Sequence, residues 1–267
     1  MSLAFPTFLL SAALAAVLSI TTLPAQANDG LAASQAIDTG PFRRVEVSGE
    51  AEIVLVQGDR EAVEVEGSTR RRTLIRVRNE GDTLRLTADE DTGFRSLFSL
   101  GSAGHPVRIT VHFRTLDTLA LSGRVKASAA AVKVPALAVK ASGAANVQID
   151  ALDTGSFRFA GSGAVKGEVS GRATQQEVSI SGAGQFRAAG LNTERAVVRV
   201  SGAGRVVVHA TRALDAQISG AGTIDYLGSP EVRQRVSGAG RIRQIPGAAA
   251  IAPGVNAPGM PRAASPA

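Results

Sequence analysis

A Ser-Gly pair recurs at Ser122-Gly123, Ser142-Gly143, Ser162-Gly163, Ser181-Gly182, Ser201-Gly202, Ser219-Gly220 and Ser237-Gly238. The intervals are 20, 20, 19, 20, 18 and 18 residues, and the last four copies read SGAG. A steady period near 20 marks a solenoid, in which each unit buries its apolar face only by stacking on its neighbours.

Aligning the copies on the serine separates inward from outward columns. Five residues after it stand Ala127, Val147, Gly167, Phe186, Val206, Ile224 and Ile242. Immediately before it stand Leu121, Ala141, Gly161, Ile180, Val200, Ile218 and Val236. Apolar and polar residues alternate on both sides, the period of a strand with one buried face. Each unit reads strand, Ser-Gly corner, strand, looser turn, and stacking the units predicts an all-β, single-stranded parallel β-helix with coils of 18–20 residues. Crossovers between parallel strands are overwhelmingly right-handed, so the expected hand is right. The 18-residue coils raise a left-handed hexapeptide helix as an alternative, but no six-residue apolar pattern runs through them. At the corner itself, Gly accepts the positive φ of a sharp bend and a small Ala after it lets corners approach. The stacked hydroxyls can bond one another or the corner backbone.

The repeat reaches upstream, where Val45–Leu55 (VEVSGEAEIVL) fits the corner template. Strand-like runs at Val63–Glu66, Leu74–Arg78, Thr83–Thr87 and Val107–Phe113 follow, with Asn79-Glu80-Gly81-Asp82 as a turn. Pro41–Arg114 is therefore expected to be an irregular strand section continuous with the helix. At the other end Gln234 and Gln244 occupy inward positions and Pro246 follows, a way to end a solenoid without a sticky edge.

The termini differ in character. Phe8–Ile20 is an apolar run, and Pro24-Ala25-Gln26-Ala27 then offers small residues where a signal peptidase reads them, although no Lys or Arg precedes the run. The run is shorter than the roughly 20 residues of a membrane span, and no Cys follows it to carry a lipid. The expected plan is a signal peptide over 1–27, a flexible mature N-terminus over 28–37, the β-helix domain over 38–246 and a disordered Ala/Pro/Gly-rich tail over 247–267. Export to the periplasm or the cell surface follows. It removes nucleic acid from the expected partners despite a pI near 10.6.

These features together resemble the bacterial family described as putative auto-transporter adhesin, head GIN domain. The resemblance rests on FRRVEVSGEAEIVLVQG, on HPVRITVHFRTLDTLALSG and on the closing SGAG coils with Asp225-Tyr226-Leu227-Gly228-Ser229-Pro230. It spans about residues 38–245, and it implies a right-handed β-helix with an adhesin-like role. Two departures stand out. No translocating β-barrel follows, so a complete autotransporter is not expected. The acidic residue often found just after the glycine corner in this family is here Lys166, Gln185, Arg205, Thr223 or Arg241.

A β-helix also raises polysaccharide lyases and hydrolases, which need clustered carboxylates or two carboxyls roughly 5–9 Å apart. The fourth residue after each serine is Lys126, Asn146, Lys166, Gln185, Arg205, Thr223 and Arg241, with no acid. Two further on come Ser128, Gln148, Glu168, Arg187, Val207, Asp225 and Arg243. Glu168 and Asp225 share that column but stand three coils, about 14 Å, apart. Asp150 and Asp153 read as turn residues, and His209 as a coil residue. The absence of Cys excludes a thiolate nucleophile and Cys-ligated metals, and with three His in the chain neither a metal site nor a cofactor is expected. An enzyme is not expected, and no catalytic residue is assigned.

What remains is charge. The chain carries 29 Lys+Arg against 23 Asp+Glu, and only four of the cations are Lys. The outward face bearing Lys126, Lys166, Arg205 and Arg241, with Arg187 and Arg243, forms a basic stripe interleaved with neutral donors. It is either a grip for an anionic envelope polysaccharide or a solvated face. Arg70-Arg71-Arg72 with Arg76 and Arg78 extend it or protect an edge. The apolar Gly93–Gly104 insertion (Phe94, Leu97, Phe98, Leu100) is a cap or a loop for docking another envelope protein. The expectation is an exported, non-enzymatic, adhesin-like β-helix. A carbohydrate-active enzyme and a purely structural envelope protein are the alternatives.

Overall fold

The computed structural model describes residues 34–66, 75–88 and 107–246. The expected signal peptide, the tail over 247–267, Arg70–Arg72 and the Gly93–Gly104 insertion lie outside them. The described chain is all β, a solenoid of about six turns. Its strands are β1 (Ser34–Asp38), β2 (Arg44–Gln57), β3 (Ala62–Glu66), β4 (Ile75–Glu80), β5 (Thr83–Ala88), β6 (Arg108–Phe113), β7 (Thr118–Gly143), β8 (Asn146–Gly163), β9 (Lys166–Gly182), β10 (Gln185–Gly202), β11 (Arg205–Gly220), β12 (Thr223–Leu227), β13 (Glu231–Ser237) and β14 (Arg241–Gln244). From β8 to β11 each element is one coil, while β7 carries two corners, Ser122-Gly123 and Ser142-Gly143, and each pairs in parallel with the coils before and after it. β12 and β13 together form the coil after β11, both pairing with it in parallel, and β14 opens the next by pairing with β12.

The opening section joins this stack through β2, which pairs in parallel with β5, β6 and β7. It also contains antiparallel pairs that the repeat does not foreshadow: β4 with β5, β3 with β6, and β1 with β3. The expected turn at Asn79–Asp82 joins β4 to β5, and Gly81 sits there at φ 66°. Gln57 extends the ladder with its side chain. Its Oε1 accepts from Lys133 N at 2.7 Å and its Nε2 donates to Lys133 O at 2.8 Å.

The corner serines stack in register from Ser48 through Ser122, Ser142, Ser162, Ser181, Ser201 and Ser219 to Ser237. Each carbonyl of the corner glycines from Gly123 to Gly202 accepts a hydrogen bond from the Ala N–H that follows the next corner, at 2.9 Å for Gly143 to Ala164 and 3.0 Å for Gly182 to Ala203. That oxygen fills the place where a side chain on the next glycine would go. A Cβ on Gly163 would lie 2.8 Å from Gly143 O, one on Gly182 3.0 Å from Gly163 O, and one on Gly123 closer still to Gly49 O. The φ values, 95° at Gly163 and 107° at Gly182, penalise any Cβ independently. Coil length varies elsewhere. Register shifts fall between Ile149 and Leu152, between Arg187 and Leu191, and between Ala188 and Asn192, at the bend remote from the corner.

The second glycine of SGAG has a different cause, which is space. A Cβ on Gly204 would meet Ile180 Cγ2 at 2.8 Å, and one on Gly222 would meet Val200 Cγ1 at 2.6 Å. Where the residue before the serine is small, as at Ala141 and Gly161, the same position carries Ala145 and Val165 instead. The core thus keeps its volume by trading bulk between columns. Gly167 does likewise beside Phe159 and Phe186, whose rings lie 4.6 Å apart. Four buried residues break the apolar rule, Thr154, Gln176, Thr193 and Asp225. Of these Gln176, 2% exposed and stacked between Phe157 and Ala196, has no partner for either polar atom of its side chain.

Acid–arginine pairs lace adjacent coils on the surface. Glu177 accepts from Arg158 Nε and from Arg199, each at 2.8 Å, and Asp153 accepts from Arg172 at 2.7 and 2.9 Å. Such exposed pairs contribute about 0–1 kcal/mol each, whereas burying one Val, Leu, Ile or Phe contributes about 1.5–3 kcal/mol. The inward columns, not the ion pairs, hold the stack.

Two measurements check this account. Gly123→Ala and Gly182→Ala are both expected to destabilise by at least about 2 kcal/mol in denaturant titrations, with Gly123→Ala the worse because its oxygen contact is tighter. Equal, sub-kilocalorie effects would refute the corner argument. The hydrogen bond from Arg158, reinforced by Arg199, holds the Glu177 carboxyl below the usual carboxylate range, and Arg172 does the same for Asp153. A depressed folded-state pKa gives stability that is present above the unfolded value and lost as pH falls through the folded one. NMR titration should therefore find Glu177 shifted upward by Arg158→Gln, and less so by Arg199→Gln.

Candidate anion-binding face

The strand leaving each corner carries the two outward columns of the expected basic stripe. Pairing places Lys126, Asn146, Lys166, Gln185, Arg205, Thr223 and Arg241 in one file, a single coil apart. The neighbouring file runs Gln148, Glu168, Arg187, Val207, Asp225 and Arg243. All six expected cations are exposed on this face.

They are not equivalent. The coil of Ser48 adds Glu52 at the head of the first file, opposite Lys126. Glu52 accepts from Arg108 at 3.4 Å and lies 3.6 Å from Lys126 Nζ. The file is therefore acid-free only from Lys126 onward, and Lys126 itself faces Glu52. At the other end Arg243 grips the buried Asp225 through both carboxylate oxygens, at 2.5 and 3.4 Å, and the guanidinium pKa is raised by that hydrogen bond and charge. Lys126 and Arg243 are thus each paired with an acid, Lys126 sharing Glu52 with Arg108. Lys166, Arg187, Arg205 and Arg241 have no ion-pair partner among the described residues, and Glu168, two residues from Lys166, closes no pair either.

The register places Glu168 and Asp225 three coils apart, and Asp225 is engaged by Arg243. Asp150 accepts from Gln148 at 2.9 Å. His209 is half-buried, and its backbone carbonyl accepts from Thr193 Oγ1 at 2.6 Å. No group of three or more His, Asp or Glu among the described residues is placed to hold a metal ion. No helix among them is long and apolar enough to cross a membrane.

On the other side of the corner, along the entering strands, the structure reveals a groove of about 800 Å³ that inspection of the repeat does not disclose. Ser142, Ser162, Ser181 and Ser201 line it above Ile180 and Val200, so its wall is mostly apolar. Its signal was present as small residues at and before the serines, but concavity depends on how those coils stack. The rim arginines are occupied: Arg199 by Glu177, and Arg85 by Glu46 and Glu80. Free positive charge is therefore richer on the leaving strands than along the groove.

Comparison with solved structures finds the same fold. A putative adhesin from Bacteroides fragilis NCTC 9343 aligns with a TM-score of 0.73 at 21% identity, over 81% of this chain and 98% of that one. A putative lipid binding protein from Parabacteroides distasonis ATCC 8503 aligns at 0.63 and 17%, over 82% and 98%. A putative adhesin from Parabacteroides merdae ATCC 43184 aligns at 0.59 and 20%, over 82% and 98%. At these identities the likeness is one of fold. No functionally curated protein matches the chain. The family described as putative auto-transporter adhesin, head GIN domain, matches residues 41–230, which is most of the solenoid together with its irregular opening, and the chain belongs to that family.

Proposed function

We propose that this protein is an exported, non-enzymatic β-helix that binds an anionic polymer of the cell envelope through the face of its corner-leaving strands. The observation that carries the reading is the set of exposed, unpaired cations Lys166, Arg187, Arg205 and Arg241, spread along one side of a straight stack. Elsewhere several arginines close onto the acid in register with them, as Arg158 does with Glu177 and Arg172 with Asp153. An unpaired row of cations is free to exchange its bulk counter-anions for the anionic groups of a polymer. Carboxylate chemistry finds less support, because Asp225 is tied to Arg243 and Glu168 stands alone. The adhesin description of the family agrees with a binding role at or near the cell surface.

The test is retention of the mature protein on an immobilised uronic-acid polysaccharide across a salt series. Exposed ionic contacts are screened by salt, so retention is expected to fall steadily as the salt concentration rises through the series. Lys166→Gln, Arg205→Gln and Arg241→Gln together should abolish most retention and flatten the salt dependence while leaving the melting temperature unchanged. Undiminished retention by the triple variant would overturn the reading.

A further inference from the structure

The cations of the first file do not occupy consecutive coils. Reading down the register, Lys126, Lys166, Arg205 and Arg241 alternate with Asn146, Gln185 and Thr223. Within this file every second coil presents a positive charge, and every coil between presents a neutral side chain able to donate a hydrogen bond. Arg187 stands in the coil of Gln185 but in the neighbouring file, opposite Glu168. One coil is one strand spacing, so successive cations lie roughly 9.5 Å apart. Beyond the acid-paired Lys126, the free part of this ruler runs over Lys166, Arg205 and Arg241, four coils or about 19 Å.

Separating like charges by one coil also relieves repulsion, but an acid in the intervening coil would relieve it better. This molecule uses that device readily: Glu52 stands opposite Lys126, Glu177 opposite Arg158, Asp153 opposite Arg172 and Asp225 opposite Arg243. From Asn146 onward the file instead places an amide or a hydroxyl between its cations. Neutral donors leave the positive potential of the file standing and add hydrogen-bonding capacity of their own.

Resting on the polyanion reading above, we infer that the ligand is an extended polysaccharide lying parallel to the solenoid axis, with one anionic group on every second sugar. A ring of an extended, equatorially linked chain advances by close to one coil spacing. An acidic sugar then meets Lys166, Arg205 and Arg241 in turn. The neutral sugars between them, carrying hydroxyl or N-acetyl groups, meet Gln185 and Thr223. Along this file, a polymer charged on every ring would place half of its anions opposite neutral side chains.

The test moves charge without changing it. The exchange Lys166→Gln with Gln185→Lys keeps the net charge of the face and destroys the alternation, as does Arg205→Thr with Thr223→Arg. Both alter outward residues, and melting temperature reports that the fold survives; either variant alone suffices should the other fail to fold. Affinity is measured for hyaluronan, which carries one carboxylate per disaccharide, and for polygalacturonate, which carries one on every sugar. The expected result is a loss of about tenfold or more for hyaluronan and less than twofold for polygalacturonate. Exchange variants that bind both polymers as the parent does would overturn the register inference and leave polyanion binding intact. Failure of the parent protein to bind either polymer would overturn the binding reading itself.

Discussion

The close approach of corner backbones governs this molecule. A corner glycine carbonyl accepts the Ala N–H of the next coil, and its oxygen occupies the space a side chain on the next glycine would need. No coil can therefore slip against its neighbour at that point, and serine stacks on serine from Ser48 to Ser237. Because the period of a strand is two, a fixed corner fixes which residues face inward on both flanks. Insertions and deletions are pushed to the remote bend, where coils of 18 and 20 residues are reconciled by register shifts. A surface file on the strand leaving the corner is then as straight as the corner itself, and this gives the spacing of Lys166, Arg205 and Arg241 meaning.

Much of this was legible before any coordinates. The Ser-Gly spacing located the corners, the buried columns and the basic files, because a solenoid turns sequence intervals directly into stacking. The pairing of Arg243 with Asp225 is legible too, since both stand in one file on adjacent coils. Other features were hidden for physical reasons. Glu52 heads the cation file, but its coil lies 74 residues before that of Ser122, across strands that break the period, so its pairing with Lys126 does not follow from the repeat. The antiparallel pairings of β1, β3 and β4 are settled by which edges remain open after β2 joins the stack. The second glycine of SGAG answers to Ile180, Val200 and Ile218, a trade in volume that shows only when the inward columns are packed together.

The division of labour within each coil follows. Inward positions supply nearly all of the stability, and outward ion pairs supply little, so the outward files are free to vary at low cost. On most of the surface that freedom is used for acid–arginine pairs between coils. On the leaving strands it is used, beside the Lys126–Glu52 and Arg243–Asp225 pairs, for the cations Lys166, Arg205 and Arg241, spaced in their file by an amide and a hydroxyl. A rigid scaffold that holds charges at a set interval can select a polymer by the interval of its own charges, with no enclosed pocket and no moving part.

The chain's four lysines allow this to be tested in one experiment. Lys126 and Lys166 stand in the proposed binding file, Lys140 rims the groove on the other side of the corner, and Lys133 lies near the remote bend; all four are exposed. Acetylation rates at each lysine, measured with and without saturating hyaluronan, report directly which face the polymer covers. The account requires strong protection of Lys166 with Lys133 and Lys140 unaffected. Protection of Lys140 in preference to Lys166, or equal protection of all four, would contradict it.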